Sequence, residues 1–182
     1  MNRPTEKGLV ARLRTGDREA FKEVYERFKG DVLALVATML GRQYGAWDVL
    51  HDVFISLARN APDLAPDSNL KAYLLTAAAN RARDHLSKSK TGSVALDAAT
   101  EVPTTRAEDP AQAAVRGEEA RRIWESIASL PEEQRLVVAL HIYGDQTFKE
   151  IAEDQGVSEN TIQSRYRYAL RKIRRKWLGE RP

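Results

Sequence analysis

The sequence predicts an all-α protein: two small helical domains joined by a flexible linker. Three observations carry that expectation. Apolar residues recur every three or four positions through most of the chain, the spacing of one helix face. No stretch alternates apolar and polar long enough to build a sheet. From residue 88 to 109 all periodicity is lost, and Ser, Thr, Ala, Gly and Pro dominate, as in a linker. The division is therefore 1–90, a linker over 91–109, and 110–182. At 182 residues the chain reads as two small cores with a tether rather than one core.

The first domain opens with a short helix that buries Leu9, Val10 and Leu13. A long helix over 17–41 follows. Phe21, Val24, Tyr25, Phe28, Val32, Leu35, Val36 and Met39 form its stripe, Asp17 caps its start and Gly41 ends it. The spacing predicts a third helix over about 46–59, with Val49, Leu50, Val53, Phe54 and Leu57 inward. The proline-rich stretch 61–67 breaks the pattern as a loop. Ser68 is then the expected cap of a fourth helix over about 69–87, with Leu70, Leu74, Ala77, Ala78 and Leu86 on its stripe.

Beyond the linker, Asp109-Pro110 is a helix start that leads to Val115, Ile123, Trp124 and Ile127. Pro131 opens another helix, with Leu136, Val137, Leu140 and Tyr143 inward and Gly144 as its stop. Thr147 and Glu150 have capping-box spacing. The short helix they start carries Phe148, Ile151 and Ala152 on its apolar side. Gly156 supplies a positive-φ turn, Val157 plugs the corner and Ser158 caps the last helix. Two short helices joined by a glycine turn are the helix-turn-helix signature.

Composition narrows the chemistry. With no cysteine, disulfide scaffolds, cysteine-ligated zinc, iron–sulfur clusters and thiol catalysis are excluded. His51, His85 and His141 lie on different helices without metal-ligand spacing, and no glycine motif cradles a phosphate. No enzyme activity, metal or cofactor is expected. No apolar run approaches the ~18–20 residues of a membrane span, and the first nine residues lack a signal-peptide core. The chain reads as cytoplasmic.

The net charge of +3 conceals a segregated distribution. Residues 1–90 carry 15 basic and 11 acidic side chains, 91–117 carry 2 and 4, 118–159 carry 4 and 10, and 160–182 carry 8 and 1. The final helix is thus strongly basic and the helices before it acidic. On a wheel, Ile162, Tyr166, Ala169 and Ile173 cluster on one side. Asn160, Ser164, Arg167, Tyr168, Arg171 and Arg175 face away. Small amide and hydroxyl groups come first and arginines last. That order suits a recognition helix whose first turns read base edges and whose later turns neutralise phosphates. Gln163 and Arg165 flank the same face.

The order of motifs resembles a bacterial sigma factor of the sigma-70 family, in its small extracytoplasmic-function (ECF) group. "AFKEVYERFKGDVLALVATMLG", then "AWDVLHDVFISLA" and "LKAYLLTAAANRARDHLSKSK", are similar to the family's region 2. "SLPEEQRLVVALHIYGDQTFKEIAEDQGVSENTIQSRYRYALRKIRRKWL" is similar to region 4. The resemblance implies two partners, core RNA polymerase and promoter DNA. ECF factors are often held by an anti-sigma factor, a third class of partner.

The resemblance points to Thr161, Gln163, Ser164, Arg165 and Arg167 at the −35 element, and the outward face of the helix adds Asn160, Tyr168 and Arg171. It assigns the −10 element to the fourth helix. There Lys71, Asn80, Arg81, Arg83 and Lys88, with Lys90, supply charge and a bidentate amide, and Tyr73 is the aromatic platform on which an unpaired base stacks. The loop before that helix, 63–69, is positioned to hold an extruded base, as in the family. Arg81 has a second reading, an i, i+3 ion pair with Asp84.

Asp48 and Asp52, with His51 beside them, form an acidic edge opposite Val49, Val53 and Phe54. Alone this is a solubilising face; the resemblance makes it the contact with the polymerase clamp. Trp47, His51, Tyr73, Asn160 and Gln163 depart from the usual family residues, which bears on promoter sequence and clamp affinity rather than class.

A linker of about 20 residues spans at most ~70 Å, and promoter elements about 17 base pairs apart lie ~58 Å apart. The tether suffices when extended. The same tether also allows a closed form that covers both DNA faces. The competing functional reading is a stand-alone helix-turn-helix regulator, with residues 1–90 as its sensor or dimerisation domain.

Overall fold

A computed structural model describes residues 6–40, 45–91, 123 and 125–177. The expected linker, the helix start at Asp109-Pro110, and Gly41, Val115, Trp124 and the Lys90 side chain lie outside the described residues. Seven helices are described by their bounds. They are α1 (Glu6–Arg14), α2 (Arg18–Leu40), α3 (Ala46–Asn60), α4 (Leu70–Thr91), α5 (Glu132–Gly144), α6 (Phe148–Gln155) and α7 (Glu159–Trp177). A 3₁₀ turn, Ala61–Asp63, follows α3, and residues 125–128 are helical ahead of α5.

Local signals fix the ends of these helices. Asp17 Oδ1 accepts from the backbone N–H groups of Glu19 and Ala20 and so caps α2. Its other oxygen takes Arg12 Nε at 2.7 Å, which ties α1 to the cap. Gly45 opens α3 at φ 110, where a Cβ would stand 2.7 Å from His85 Cε1. Both the conformation and the space there exclude a side chain.

Two expected ends move by one residue. The cap of α4 is Asn69, whose Oδ1 accepts from Ala72 N at 3.0 Å, rather than Ser68. At the end of α5 the left-handed residue is Asp145 (φ 51), not Gly144, which is buried as the last helical residue.

α1–α4 form the first helical unit, with α2 packed on α3 and α4. Phe21, Tyr25 and Phe54 meet edge-on at the α2–α3 contact. α5–α7 form the second, where α6 and α7 pack on each other and on α5.

The two units do not have separate cores. α5 packs against α2 and α4, and its Leu136, Val137, Ala139 and Leu140 join the same buried cluster as Leu35, Met39, Leu74 and Leu75. A smaller cluster on the far side of α5 gathers Ile127, Leu130, Val138 and Ala169. The cause is the run 136–140, all of it buried. A helix apolar all round needs a neighbour on every side. Arg135 pins the seam: its Nη1 donates to Met39 O at 2.8 Å, a cation on the carbonyls that end α2. Burial pushes the Arg135 pKa down, against a smaller opposing pull from Glu132.

Candidate nucleic-acid and polymerase interface

The helix-turn-helix forms as its local chemistry requires. Thr147 Oγ1 accepts from Glu150 N at 3.2 Å, and Glu150 Oε2 accepts from Thr147 N at 2.7 Å, the reciprocal capping box. The Thr147 backbone and hydroxyl hold the Glu150 carboxyl below the usual glutamate range. Gly156 turns the chain at φ 63, and Ser158 Oγ accepts from Thr161 N at 3.2 Å to start α7. His141 stacks on Phe148 and meets Tyr166 edge-on, which fixes α5, α6 and α7 around one aromatic knot.

α7 presents the face expected of it. Ile162 and Ala169 are fully buried, with Tyr166 and Ile173 partly so. Asn160, Arg167, Tyr168, Arg171 and Arg175 are exposed. Ser164 is half-buried and accepts from Arg167 at 3.3 Å. Arg171 lies over the Tyr168 ring at 5.5 Å.

Three residues on the flank are engaged. Thr161 bonds Ser158, and Gln163 donates to Glu159 at 3.0 Å. Arg165 forms a 2.6 Å ion pair with Glu133 of α5. Arg165 is thus partly a strut between helices, a role that spacing along α7 does not reveal because its partner lies on another element.

On α4, Tyr73, Thr76, Asn80 and Arg83 share one side. Tyr73 is half-buried, and its hydroxyl accepts from Asn60 Nδ2 at 3.4 Å. Asn80 and Lys88 are exposed. Ala72, Tyr73, Thr76, Ala77 and Asn80 line an open groove of about 350 Å³, whose other wall is Asp154 of α6. Arg81 pairs with Asp52 of α3 at 3.4 Å, not with Asp84.

Lys71 and Arg83 turn to the second unit. Lys71 Nζ lies 2.5 Å from Asp145 and 3.4 Å from Asp31. Arg83 donates to Gln155 at 2.8 Å and lies 3.5 Å from Glu132. Partial burial opposes the Lys71 charge, but the two carboxylates more than offset it and raise its pKa. The bond from Lys71 lowers that of Asp145.

Asp48, His51 and Asp52 are all exposed along α3. Exposed Trp47 and Ile55 flank them, which places Trp47, His51 and Ile55 one turn apart on a single face. Ile55 is an exposed apolar residue off the buried stripe of α3.

Two family comparisons match this arrangement. Residues 24–91 match Sigma-70 region 2, and residues 120–173 match Sigma-70, region 4. The ECF RNA polymerase sigma factor SigK of Mycobacterium tuberculosis (strain ATCC 25618 / H37Rv) is 33% identical over 171 residues, covering 91% of this chain and 90% of its own. The RNA polymerase sigma factor CarQ of Myxococcus xanthus is 28% identical over 172 residues, covering 94% and 96%.

Two solved structures share the fold at TM-score 0.68. One is CnrH in complex with the cytosolic domain of CnrY, 20% identical, covering 96% of this chain and 98% of CnrH. The other is the sigma factor RpoE in complex with the anti-sigma factor NepR from Bartonella quintana, 18% identical, covering 88% and 98%.

Proposed function

The chain belongs to the sigma-70 family of RNA polymerase sigma factors, in the ECF group, and we propose from that premise how its surfaces divide the work. As a sigma factor it binds core RNA polymerase and directs promoter-specific initiation. The observation that carries this reading is the presence of both sigma regions in order on a chain that its relatives match almost end to end. The protein is a specificity subunit with no catalysis of its own, and it acts in the cytoplasm where polymerase and promoters are. Among the described residues no helix is long and apolar enough to cross a membrane.

In our assignment α7 lies in the major groove of the −35 element. Asn160, Thr161, Gln163 and Ser164 are at base edges, and Arg165, Arg167, Tyr168 and Arg171 are at bases and backbone. A recognition helix enters by its N-terminal turns, and the exposure of Asn160 and Arg167 supports that entry. α4 captures the −10 non-template strand. Tyr73 is the stacking platform, Asn80 the amide that pairs with a base edge, and Lys71, Arg81, Arg83 and Lys88 the phosphate contacts. Asp48, His51 and Asp52 contact the polymerase clamp. Residues 1–90 and 110–182 are the two functional domains, joined by 91–109. An anti-sigma protein is the remaining class of partner, since both solved structures above are complexes with a second protein.

The test is run-off transcription by purified core polymerase on genomic DNA, with start sites mapped. The expected result is factor-dependent starts preceded by a shared pair of elements. A protein that neither co-purifies with core nor supports any start, yet binds paired half-sites as a dimer, would overturn the assignment.

A further inference from the structure

The first turns of α7 hold a contact that bears on which base is read. Gln163 donates through Nε2 to Oε1 of Glu159 at 3.0 Å. The two residues are four apart on the helix, so their side chains meet on one side of it. A carboxylate accepts and does not donate, whereas a glutamine amide does both. Glu159 therefore takes the NH2 end of the amide, and Oε1 of Gln163 is the end turned away from it. The neighbouring polar groups have other partners. The hydroxyl and backbone N–H of Thr161 both bond Ser158, and Arg165 is drawn to Glu133 at 2.6 Å.

We propose that Glu159 is a positioning residue, which holds the Gln163 amide with its carbonyl outward and so makes that position select adenine over guanine. This rests on the assignment of α7 to the −35 duplex and deepens it. Both purines present N7 as an acceptor in the major groove, and they differ beside it: adenine N6 donates and guanine O6 accepts. The fixed amide offers Oε1 to adenine N6 and its second N–H to N7, a bidentate match. Against guanine the same Oε1 meets O6, two acceptors with no proton between them. A free amide turns over and donates to guanine instead. Here turning over breaks the bond to Glu159 and sets a carbonyl against its carboxylate. The choice between purines is thus made before DNA arrives, by preorganisation and by a built-in mismatch with the wrong base.

A carboxylate in the first turn also steadies a helix through its dipole, whatever base lies beneath it. The two roles separate by experiment. Holoenzyme made from core polymerase and the full chain is assayed by run-off transcription on a mapped promoter, with each of the four bases placed in turn at every −35 position. The parent is expected to favour adenine over guanine about tenfold at one position on one strand. Gln163→Ala should remove that preference there and nowhere else. Glu159→Gln keeps the size and the bond, but its own amide either accepts or donates and so no longer dictates the orientation. The purine ratio at that position should fall to about threefold or less, with the other −35 preferences unchanged. Gln163→Lys, which only donates, should turn the preference towards guanine.

Thermal melting of each variant accompanies the assay. A lower Tm in Glu159→Gln with the tenfold purine ratio intact would leave Glu159 a helix stabiliser and overturn the positioning role. Guanine favoured by the parent at the Gln163 position would overturn the outward carbonyl. A Gln163→Ala variant that keeps every base preference would take Gln163 off the base edge and end the proposal. Starts indifferent to all −35 substitutions would defeat the α7 assignment itself, and no run-off from the parent at any factor concentration would defeat the sigma reading.

Discussion

At the scale of single residues, α7 separates a buried side from an exposed one within two turns. Ile162 is fully buried, and Arg167 on the opposite side is exposed. Ile162→Ala should cost about 2–5 kcal/mol of stability through the cavity it leaves. Arg167→Ala should leave the melting temperature unchanged and weaken −35 binding by about 1–3 kcal/mol. Calorimetry beside titration of holoenzyme with promoter duplex at fixed salt measures both. Equal loss of stability in the two variants would refute the assigned faces.

That division was legible in the sequence because helix periodicity alone sets it. The Arg165–Glu133 pair was not, since it depends on where α5 lies. Releasing Arg165 by Glu133→Gln should tighten −35 binding by less than ~1 kcal/mol, the ordinary worth of a partly exposed ion pair. Weakened binding in that variant would mean that Glu133 orients Arg165 for DNA.

At the scale of elements, short-range chemistry decides where helices begin, and most of it was readable. The Asp17, Thr147 and Ser158 caps and the Gly156 turn stand where spacing put them. The α4 cap was misplaced because Ser68 and Asn69 are adjacent and both are good cap residues. Only the backbone path chooses between them. The left-handed position at Asp145 was missed for a similar reason: glycine is the common choice there, but aspartate tolerates it.

The capping box of α6 carries its own prediction. Thr147→Ala should lose about 1 kcal/mol of stability. Glu150 ionises more readily folded than unfolded. Its contribution is therefore complete above the usual glutamate pKa of about 4.3 and is lost as pH falls through the lower folded value. Melting temperatures from pH 6 to pH 3 should show Glu150→Gln with a shallower acid decline than the parent. Parallel curves would mean that the carboxylate does not cap the helix.

At the scale of the molecule, two sigma-type units and their order were legible, but their packing was not. The run 136–140 held the one available sign. Five consecutive buried residues need partners on two sides of α5, whereas a stripe of Leu136, Val137, Leu140 and Tyr143 needs one. Nothing in the sequence says whether the second partner is this chain or polymerase. In this packing Arg83 of α4 bonds Gln155 of α6, while Asn160, Arg167, Tyr168 and Arg171 of α7 stay exposed. Charge segregation, concealed in the net +3, accounts for that asymmetry. Glu132, Asp145 and Asp154 reach Arg83, Lys71 and Thr76 of α4, and Arg167, Arg171 and Arg175 of α7 are exposed.

In the proposed division of labour, α7 reads duplex at −35 while α4 captures single strand at −10. Permanganate footprinting of holoenzyme on a mapped promoter tests it most directly, because thymines react only where the strand is unpaired. With Arg167→Ala, fewer complexes are expected, each with normal −10 reactivity. With Asn80→Ala it predicts retained −35 protection and lost −10 reactivity. The same pattern of loss from both variants would contradict the division of labour.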